Sequence, residues 1–291
     1  LDRYARLQAG DELTLAGYVE ATRGCKHTCA HCPITPIYQG RFFAIPQDIV
    51  LADVRAQVAA GAGHITFGDP DFLNGPTHNL RIARAMHTEF PQLTFDATIK
   101  IEHILRHSAL LPELCELGCV FVVSAVESLS DTVLDKLKKG HSGAAVGRAF
   151  DVMDGAGIPL RPSLVSFTPW TTLDDYLQVL HFVEGRGLVE YVDPVQYAIR
   201  LLVPPGSALL EDADVAGEWL GPLDAAAYSY SWRHADPRMD ALYEEVSCLV
   251  ARAEREQSDV PATFAEIKKA AHEAAGLVAA ANVPAGGRAR P

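Results

Sequence analysis

Residues 24–33 place three cysteines within eight positions, in the run Gly24-Cys25-Lys26-His27-Thr28-Cys29-Ala30-His31-Cys32-Pro33. Thiolates at this C-x3-C-x2-C spacing can occupy three corners of a cubane iron–sulfur cluster, whereas a structural zinc site takes four ligands, usually in two pairs. Cys25, Cys29 and Cys32 therefore predict a [4Fe-4S] cluster whose fourth iron is open to a substrate or cofactor. A zinc site and plain redox thiols are the alternatives.

Length, net charge and cysteine content limit the classes of protein to which the chain can belong. The chain has 291 residues, a formal net charge of −12 and six cysteines. This length suits one large α/β domain better than two small ones, and the acidic balance gives little support for binding nucleic acid. Six cysteines are too few for a disulfide scaffold, so we expect a reducing, cytoplasmic compartment. No apolar run reaches the roughly 20 residues that span a bilayer, so we expect no membrane partner.

Apolar runs alternate with helical stretches over most of the chain. Near-continuous apolar strands separated by single crossovers indicate a parallel sheet buried on both faces. The pattern predicts an α/β fold, a partial (β/α)6 TIM barrel over residues 1–206, with residues 207–291 as a loop and helical extension packed on it. The predicted strands are 15–21, 64–68, 93–98, 119–124, 160–167 and 191–199.

Capping residues set the bounds of the predicted helices. Gly61 ends the first of them. Ser130 and Asp131 form an N-cap pair at the start of the second, which ends at Gly140. The predicted helices are 47–60, 130–139, 143–156, 173–185, 238–256 and 261–281.

The cysteine loop directly follows the first predicted strand, at the end of a barrel where active sites lie. With this placement, residues 15–206 resemble the radical S-adenosylmethionine (SAM) superfamily. The resemblance implies that the three cysteines bind a [4Fe-4S] cluster and that the amino and carboxylate groups of SAM chelate the fourth iron. It also implies that His31 borders the adenine and that an external electron donor such as flavodoxin or ferredoxin reduces the cluster.

Acidic and hydroxyl residues at the next strand ends are candidate SAM ligands. Asp69, and after it Asp71, could accept from the SAM ammonium, although aspartates also cap turns. Ser124 and Glu127 could bond the ribose hydroxyls or the amino acid moiety, and helix capping is their alternative. Ser130 is expected to act only as an N-cap.

Two arginines are candidate anion ligands. Arg161 interrupts the apolar fifth strand, and a buried guanidinium there would suit the SAM carboxylate, whereas an outward one would form a surface ion pair. Arg200, in the sixth strand segment, could reach another anionic group. The histidines His64, His103 and His107 are expected to be capping or surface residues.

Three longer stretches, 68–75, 163–176 and 193–207, resemble a bacterial radical SAM subgroup named for a C-terminal Cys-Cys-Ala-Glu-Pro or Cys-selenocysteine-Ala-Glu-Pro tail. That tail does not occur in the sequence. The resemblance implies transfer of a 3-amino-3-carboxypropyl group from SAM to trivalent arsenic, as arsenite, in arsinothricin biosynthesis. Two alternatives stay open: 5′-deoxyadenosyl radical chemistry on a small molecule or peptide, and a non-catalytic Fe–S redox or metal-sensing module.

Overall fold

A computed structural model of the chain describes residues 4–10, 12–211 and 219–276. Its strands are β1 (Arg6–Ala9), β2 (Glu12–Val19), β3 (Thr22–Gly24), β4 (Phe42–Ala44), β5 (His64–Phe67), β6 (Thr94–Thr98), β7 (Cys119–Glu127), β8 (Leu160–Leu164), β9 (Leu220–Asp224) and β10 (Ser229–Trp232). Its α-helices are α1 (Ile34–Tyr38), α2 (Gln47–Ala59), α3 (Pro76–Glu89), α4 (Ile101–Arg106), α5 (Leu111–Glu116), α6 (Asp131–Lys136), α7 (Gly143–Gly155), α8 (Leu173–Gly185), α9 (Pro237–Glu256) and α10 (Val260–Ala274).

One curled, six-stranded sheet organises the fold, in the order β1-β2-β5-β6-β7-β8. Strands β2, β5, β6, β7 and β8 are successive parallel neighbours, and β1 pairs antiparallel with β2 at one edge. Helical crossovers join the parallel strands, so their C-terminal ends lie along the same rim of a half-barrel. The prediction of a partial barrel of α/β type is confirmed.

The predicted sixth parallel strand at 191–199 is wrong. Short 3-10 helices over Val189–Tyr191 and Pro194–Ala198 occupy most of that segment. The only strand-like pairing that the described residues show there is a single parallel bridge between Phe167 and Arg200. The sixth strand of the sheet is instead β1, at the opposite edge.

Local chemistry explains why the segment turns. Pro194 has no amide hydrogen to donate to a sheet, and the Asp193 carboxylate accepts from the amide of Val195 at 2.9 Å, which starts a 3-10 turn. The Gln196 side chain supplies a hydrogen bond that a neighbouring strand would otherwise make to β8. Its side-chain Oε1 accepts a hydrogen bond from the backbone amide of Leu164 at 2.9 Å.

The two faces of the sheet differ in chemistry. The outer face packs against the helices through buried residues that include Ile65, Phe95, Val122 and Leu160. Because side chains alternate along a strand, their neighbours face the concave lumen of the half-barrel. These lumen-facing residues include His64, Thr66, Asp96, Phe121 and Arg161. The lumen is therefore more polar than the predicted sheet with two apolar faces.

Most predicted helices are confirmed. Helices α2, α7 and α8 match the predicted bounds within one residue, and Thr172 with Asp175 forms a capping box at α8. Helix α6 is shorter than predicted. Ser130 occupies its N-cap position, as expected, but the Ser130 side chain makes no capping hydrogen bond. No helix among residues 4–10, 12–211 and 219–276 is long and apolar enough to cross a bilayer.

The two C-terminal helices contact the half-barrel. The rings of Tyr197 and Phe264 lie 5.5 Å apart, and Lys268 of α10 donates to Glu184 of α8 at 2.6 Å. Predicted residues 277–281 of the last helix lie outside the described residues. The hairpin of β9 and β10 was not predicted. The division of the chain at residue 206 stays a prediction.

Replacing Gln196 with leucine tests whether this side chain substitutes for a sixth strand. We expect the free energy of unfolding to fall by about 1–3 kcal/mol, because the amide of buried Leu164 loses its acceptor. The matched control is Val195→Ala at an exposed neighbour, which should change stability by less than about 0.5 kcal/mol. Urea denaturation followed by circular dichroism measures both. Equal midpoints for wild type and Q196L would contradict the assignment.

Candidate active site

The cysteine loop connects the two strands of a small hairpin, β3 and β4. The chain enters the loop at Gly24 with a φ of +80°, and a Cβ there would lie 2.5 Å from the carbonyl oxygen of Arg41. Only glycine fits such a position without strain. The hairpin was not predicted, because strands of three residues are too short to show a period-2 pattern.

Two hydrogen bonds hold the loop to the rest of the fold, and a third closes the loop on itself. The amide of Ala30 donates to the carbonyl of Leu137 at 2.9 Å, just beyond α6. The hydroxyl of Thr35 donates to the carbonyl of Cys29 at 2.9 Å, and the hydroxyl of Ser207 donates to the carbonyl of Ala30 at 3.4 Å. The loop is therefore fixed from both sides of the rim.

The three thiols of the loop lie close enough to influence one another. Burial raises the pKa of the Cys32 thiol, and the neighbouring Cys29 and Cys25 raise it further. The ammonium of Lys100 lies 3.7 Å from the sulfur of buried Cys29. Clustered thiols beside a buried cation are suited to a metal centre that binds them as thiolates. The residues present fit a [4Fe-4S] cluster.

Glu127 forms the centre of the polar group at the end of β7. Its Oε1 lies 3.1 Å from Nε2 of His31 and 3.2 Å from Nζ of Lys139. Burial opposes the charged carboxylate, but the hydrogen bond from His31 and the charge of Lys139 outweigh it and lower the pKa of Glu127 to about 2. Its φ of +63° is a conformation that costs a non-glycine residue about 1–3 kcal/mol.

Lys100 is a second buried lysine beside this polar group. Its Nζ donates to the carbonyl of Lys139 at 3.1 Å, in addition to the contact with Cys29. Both lysines are buried. Buried cations require anionic partners, and ionised cysteines would supply the negative charge that Lys100 faces. Patterns within one segment of sequence do not reveal these contacts of Lys100, because its neighbours come from distant segments.

Asp69 joins the end of β5 to the start of β3. Its Oδ2 accepts from the amide of Ala21 at 2.9 Å, and its Oδ1 accepts from the hydroxyl of Thr22 at 2.5 Å and from Asn79 at 3.0 Å. Burial raises the pKa of Asp69, and these hydrogen bonds oppose the rise. Both oxygens thus face protein donors, and the contact of Asp69 with SAM stays a prediction.

Asp71 lies deeper, between two backbone amides and two histidines. Its Oδ1 accepts from the amides of Leu73 at 3.3 Å and Lys100 at 3.4 Å. Its Oδ2 faces the rings of His27 and His103. The expectation of a capping or surface role for His103 is wrong, since this side chain is buried.

Arg161 faces the open lumen. Its guanidinium stacks 3.8 Å from the ring centroid of Phe121, which itself stacks on His64. Burial lowers the pKa of Arg161, and the charge of Asp96 opposes that change. Because His64 is buried and bonded to Asp96 at 2.8 Å, it is neither a capping nor a surface residue. Arg161 is placed where a lumen-bound anion could reach it.

The structure places two predicted site residues elsewhere. Ser124 lies on the helix-facing side of β7, like Val122, and is fully buried. The guanidinium of Arg200 stacks 3.6 Å from the ring centroid of Trp232 and donates to Asp240 at 2.9 Å. Arg200 thus contacts the C-terminal extension.

A cleft of about 320 Å³ opens beside the cysteine loop. Five residues of the loop, between His31 and Ile37, form one wall, and the turn around Gly206 with Tyr228 forms the other. The cleft is lined by His31, Cys32, Pro33, Pro36, Ile37, Pro204, Pro205, Gly206, Ser207 and Tyr228.

Comparison with known families identifies the superfamily to which the segment with the cysteine loop belongs. The family model described as the radical SAM superfamily matches residues 19–182, more than half of the chain. The chain belongs to the radical SAM superfamily. A [4Fe-4S] cluster and SAM are the cofactors of this radical SAM enzyme.

Curated relatives align with part of this radical SAM enzyme. It is 27% identical over 189 residues to the ribosomal protein uS12 methylthiotransferase RimO of Geotalea uraniireducens (strain Rf4), covering 62% of this chain and 41% of the relative. It is 26% identical over 212 residues to the tRNA-2-methylthio-N(6)-dimethylallyladenosine synthase of Desulfosudis oleivorans (strain DSM 6200 / JCM 39069 / Hxd3), covering 68% and 44%. The chain thus spans less than half the length of these relatives.

Solved structures of radical SAM enzymes share the fold. The cobalamin-dependent radical SAM enzyme OxsB, with aqua-cobalamin and SAM bound, superposes with a TM-score of 0.62 at 14% identity, covering 78% of this chain and 40% of that one. The radical SAM methyltransferase TsrM from Kitasatospora setae, with cobalamin and a [4Fe-4S] cluster bound, gives 0.53 at 15% identity, covering 60% and 33%. At these identities the likeness concerns the fold alone.

The lowered pKa of Glu127 predicts a pH dependence of stability. A carboxylate whose pKa drops from 4.5 to about 2 on folding stabilises the protein above pH 4.5, and this contribution is lost as the pH falls towards 2. Between about pH 6 and about pH 3, cluster-free wild type should therefore lose roughly 2 kcal/mol more unfolding free energy than E127Q. Urea titrations at each pH measure the difference.

Glu113→Gln is the matched control for E127Q. Glu113 pairs with Arg84 at the surface, where solvent screens the interaction, so E113Q should follow the wild-type pH profile. Parallel profiles for E127Q and wild type would mean that the Glu127 carboxylate is not held ionised in the folded protein.

Proposed function

We propose that this radical SAM enzyme cleaves SAM reductively at the rim of the half-barrel and transfers its 3-amino-3-carboxypropyl group to trivalent arsenic. The observation that carries the cleavage step is the convergence of the cysteine loop, Lys100 and Glu127 at the C-terminal strand ends. The choice of transferred group and acceptor is supported by the resemblance of 68–75, 163–176 and 193–207 to the subgroup named for its cysteine-rich tail.

Cys25, Cys29 and Cys32 would hold the [4Fe-4S] cluster. When bound, the cluster supplies the electron that breaks a carbon–sulfur bond of SAM. Lys100, 3.7 Å from the sulfur of Cys29, places a positive charge beside the cluster and so favours its reduced, more negative state. Flavodoxin or ferredoxin would be a suitable external donor.

Three features of the rim and of the lumen below it fit the parts of SAM. Arg161 presents a guanidinium to the lumen, which suits a carboxylate. Glu127, ionised and fixed by His31, suits the ammonium or the ribose hydroxyls. The cleft beside His31 has a mostly apolar lining of prolines with Ile37 and Tyr228, which suits the flat adenine ring. These contacts would hold SAM across the open rim.

The lumen supports a small polar acceptor. His64, Thr66 and Asp96 form a hydrogen-bonded set on its wall, with Asp96 Oδ2 accepting from the hydroxyl of Thr66 at 2.7 Å. A polar wall suits a hydroxylated species such as arsenite better than an apolar substrate. In the overall transfer the S–Cγ electron pair stays with sulfur in methylthioadenosine and the arsenic lone pair forms the As–C bond. The starting electron is therefore recovered, and arsenic is oxidised as the sulfonium is reduced.

Product analysis tests the proposal. Reduced, reconstituted enzyme incubated with SAM and arsenite should give methylthioadenosine together with an organoarsenical whose mass contains the 3-amino-3-carboxypropyl group. Mass spectrometry after anaerobic incubation measures both. A reaction without arsenite and one without reductant are the controls.

Other products would contradict the proposal in distinct ways. Formation of 5′-deoxyadenosine would replace it with hydrogen abstraction from a small molecule or peptide. If SAM left the spectrum of the reconstituted cluster unchanged and no product formed, the chain would be a non-catalytic Fe–S redox or metal-sensing module.

Arg161→Gln tests the assignment of the SAM carboxylate. Losing a charge-assisted hydrogen bond of about 1.5–3 kcal/mol should weaken SAM binding by roughly 10- to 100-fold. Equilibrium dialysis with labelled SAM on reconstituted protein measures the dissociation constant. Arg148→Gln, an exposed arginine of α7, is the matched control and should bind as wild type. Unchanged affinity in R161Q would remove Arg161 from the SAM site.

A further inference from the structure

A second group of potential metal ligands lies beside the cysteine loop. Nε2 of His27, Oδ2 of Asp71 and Nδ1 of His103 all lie within 4.8 Å of one another. Asp71 Oδ2 is 2.6 Å from His103 Nδ1 and 3.7 Å from His27 Nε2. We infer that these three atoms bind one divalent transition-metal ion, separate from the iron–sulfur cluster.

The three atoms are buried and, within the part of the chain that the structure describes, have no hydrogen-bond partner. The close pair of Asp71 and His103 lacks the alignment of a hydrogen bond. Leaving a buried polar atom unpartnered costs about 1–3 kcal/mol, so three such atoms facing one point indicate a missing group. The carboxylate of Asp71 is completely buried, and the exposed fraction of His103 is 4%.

The spacing suits a metal ion after small shifts of the side chains. Ligand atoms at about 2.0–2.2 Å from a zinc ion in tetrahedral geometry are separated by about 3.3–3.6 Å. The observed 2.6 Å and 3.7 Å separations lie on either side of this range. An ion placed between the atoms would relieve the short contact between Asp71 and His103.

The ligand chemistry selects the class of ion. Two imidazoles and one carboxylate are typical of Zn²⁺ or Fe²⁺, whereas Mg²⁺ and Ca²⁺ prefer oxygen ligands throughout. This is the chemistry of a divalent first-row transition ion.

Neighbouring groups fix the ligands in orientation. Oδ1 of Asp71 accepts from the amides of Leu73 and Lys100, which leaves Oδ2 directed at the histidines. Nδ1 of His27 lies 3.8 Å from Oε2 of Glu102, too far for a hydrogen bond, so this carboxylate acts on the ring only through its charge.

The site would join three segments. His27 lies between Cys25 and Cys29 in the loop, Asp71 follows β5, and His103 belongs to α4. A bound ion would therefore hold the cysteine loop against the barrel. The inference is independent of the proposed reaction, since metal binding is measured without SAM or arsenite.

Zinc binding to the reconstituted protein tests the inference. With the cluster in place at about four irons per chain, the three cysteines are occupied. Wild type dialysed against Zn²⁺ should then retain about one zinc per chain, measured by plasma mass spectrometry. D71N and H103N should retain less than about a tenth of this, while H107N, whose ring only packs on His103, should bind as wild type.

X-ray absorption at the zinc edge distinguishes the site from the cysteines. Only nitrogen and oxygen scatterers at about 2.0–2.2 Å are expected. Sulfur scatterers, absence of zinc from wild type, or equal zinc in D71N and H103N would each overturn the inference. If both variants also lose iron, the zinc-edge spectrum of the wild type decides instead, because it needs no substitution at the ligands. Scattering from two imidazole rings would support the inference, and its absence would overturn it.

Discussion

The rim of the half-barrel depends on a run of buried polar contacts. Glu127 pairs with Lys139, the backbone carbonyl of Lys139 accepts from the ammonium of Lys100, and that ammonium contacts the sulfur of Cys29. A charge removed from water is stable only when it is paired or hydrogen-bonded, so these buried lysines require the partners that the run supplies. The run joins the end of β7, the turn after α6 and the cysteine loop. It also explains the positive φ of Glu127, since two cationic or donor partners compensate the backbone strain. The thiol loop is thus placed by electrostatics as much as by packing.

The sheet separates stability from chemistry by its two faces. Residues such as Ile65 and Phe95 pack on the helices and form the core, while His64, Asp96 and Arg161 face the lumen. Because alternate residues of a strand point to opposite faces, substitutions on one face can leave the other unchanged. A polar lumen wall supported by an apolar outer layer can accept different ligands on the same fold, which is why likeness of fold alone does not identify a substrate.

The sequence predicted what depends on local pattern and failed where the outcome depends on tertiary neighbours. The apolar runs were sufficient to predict the parallel core, and the spacing of the cysteines was sufficient to indicate the radical SAM superfamily. The assignment of the three cysteines as cluster ligands stays a prediction. The sixth strand failed because Asp193 and Pro194 favour a turn that overrides the apolar pattern. His103 was misjudged because Asp71, which it faces, lies 32 positions earlier in the sequence. Periodicity within one segment contains no information about such a pair.

Lys100 links the two ligand sets at the rim. Its backbone amide donates to Asp71, and its ammonium contacts the sulfur of Cys29. A shift of this one residue would therefore alter the carboxylate beside the histidines and the charge beside the cysteine loop together. His27 lies on the loop between Cys25 and Cys29, and its ring faces Asp71. The loop therefore carries the three cysteines and also one member of the histidine–aspartate group. The conformation of the cysteine loop and that of the histidine–aspartate group therefore depend on each other. A ligand that fixes one group also stabilises the other.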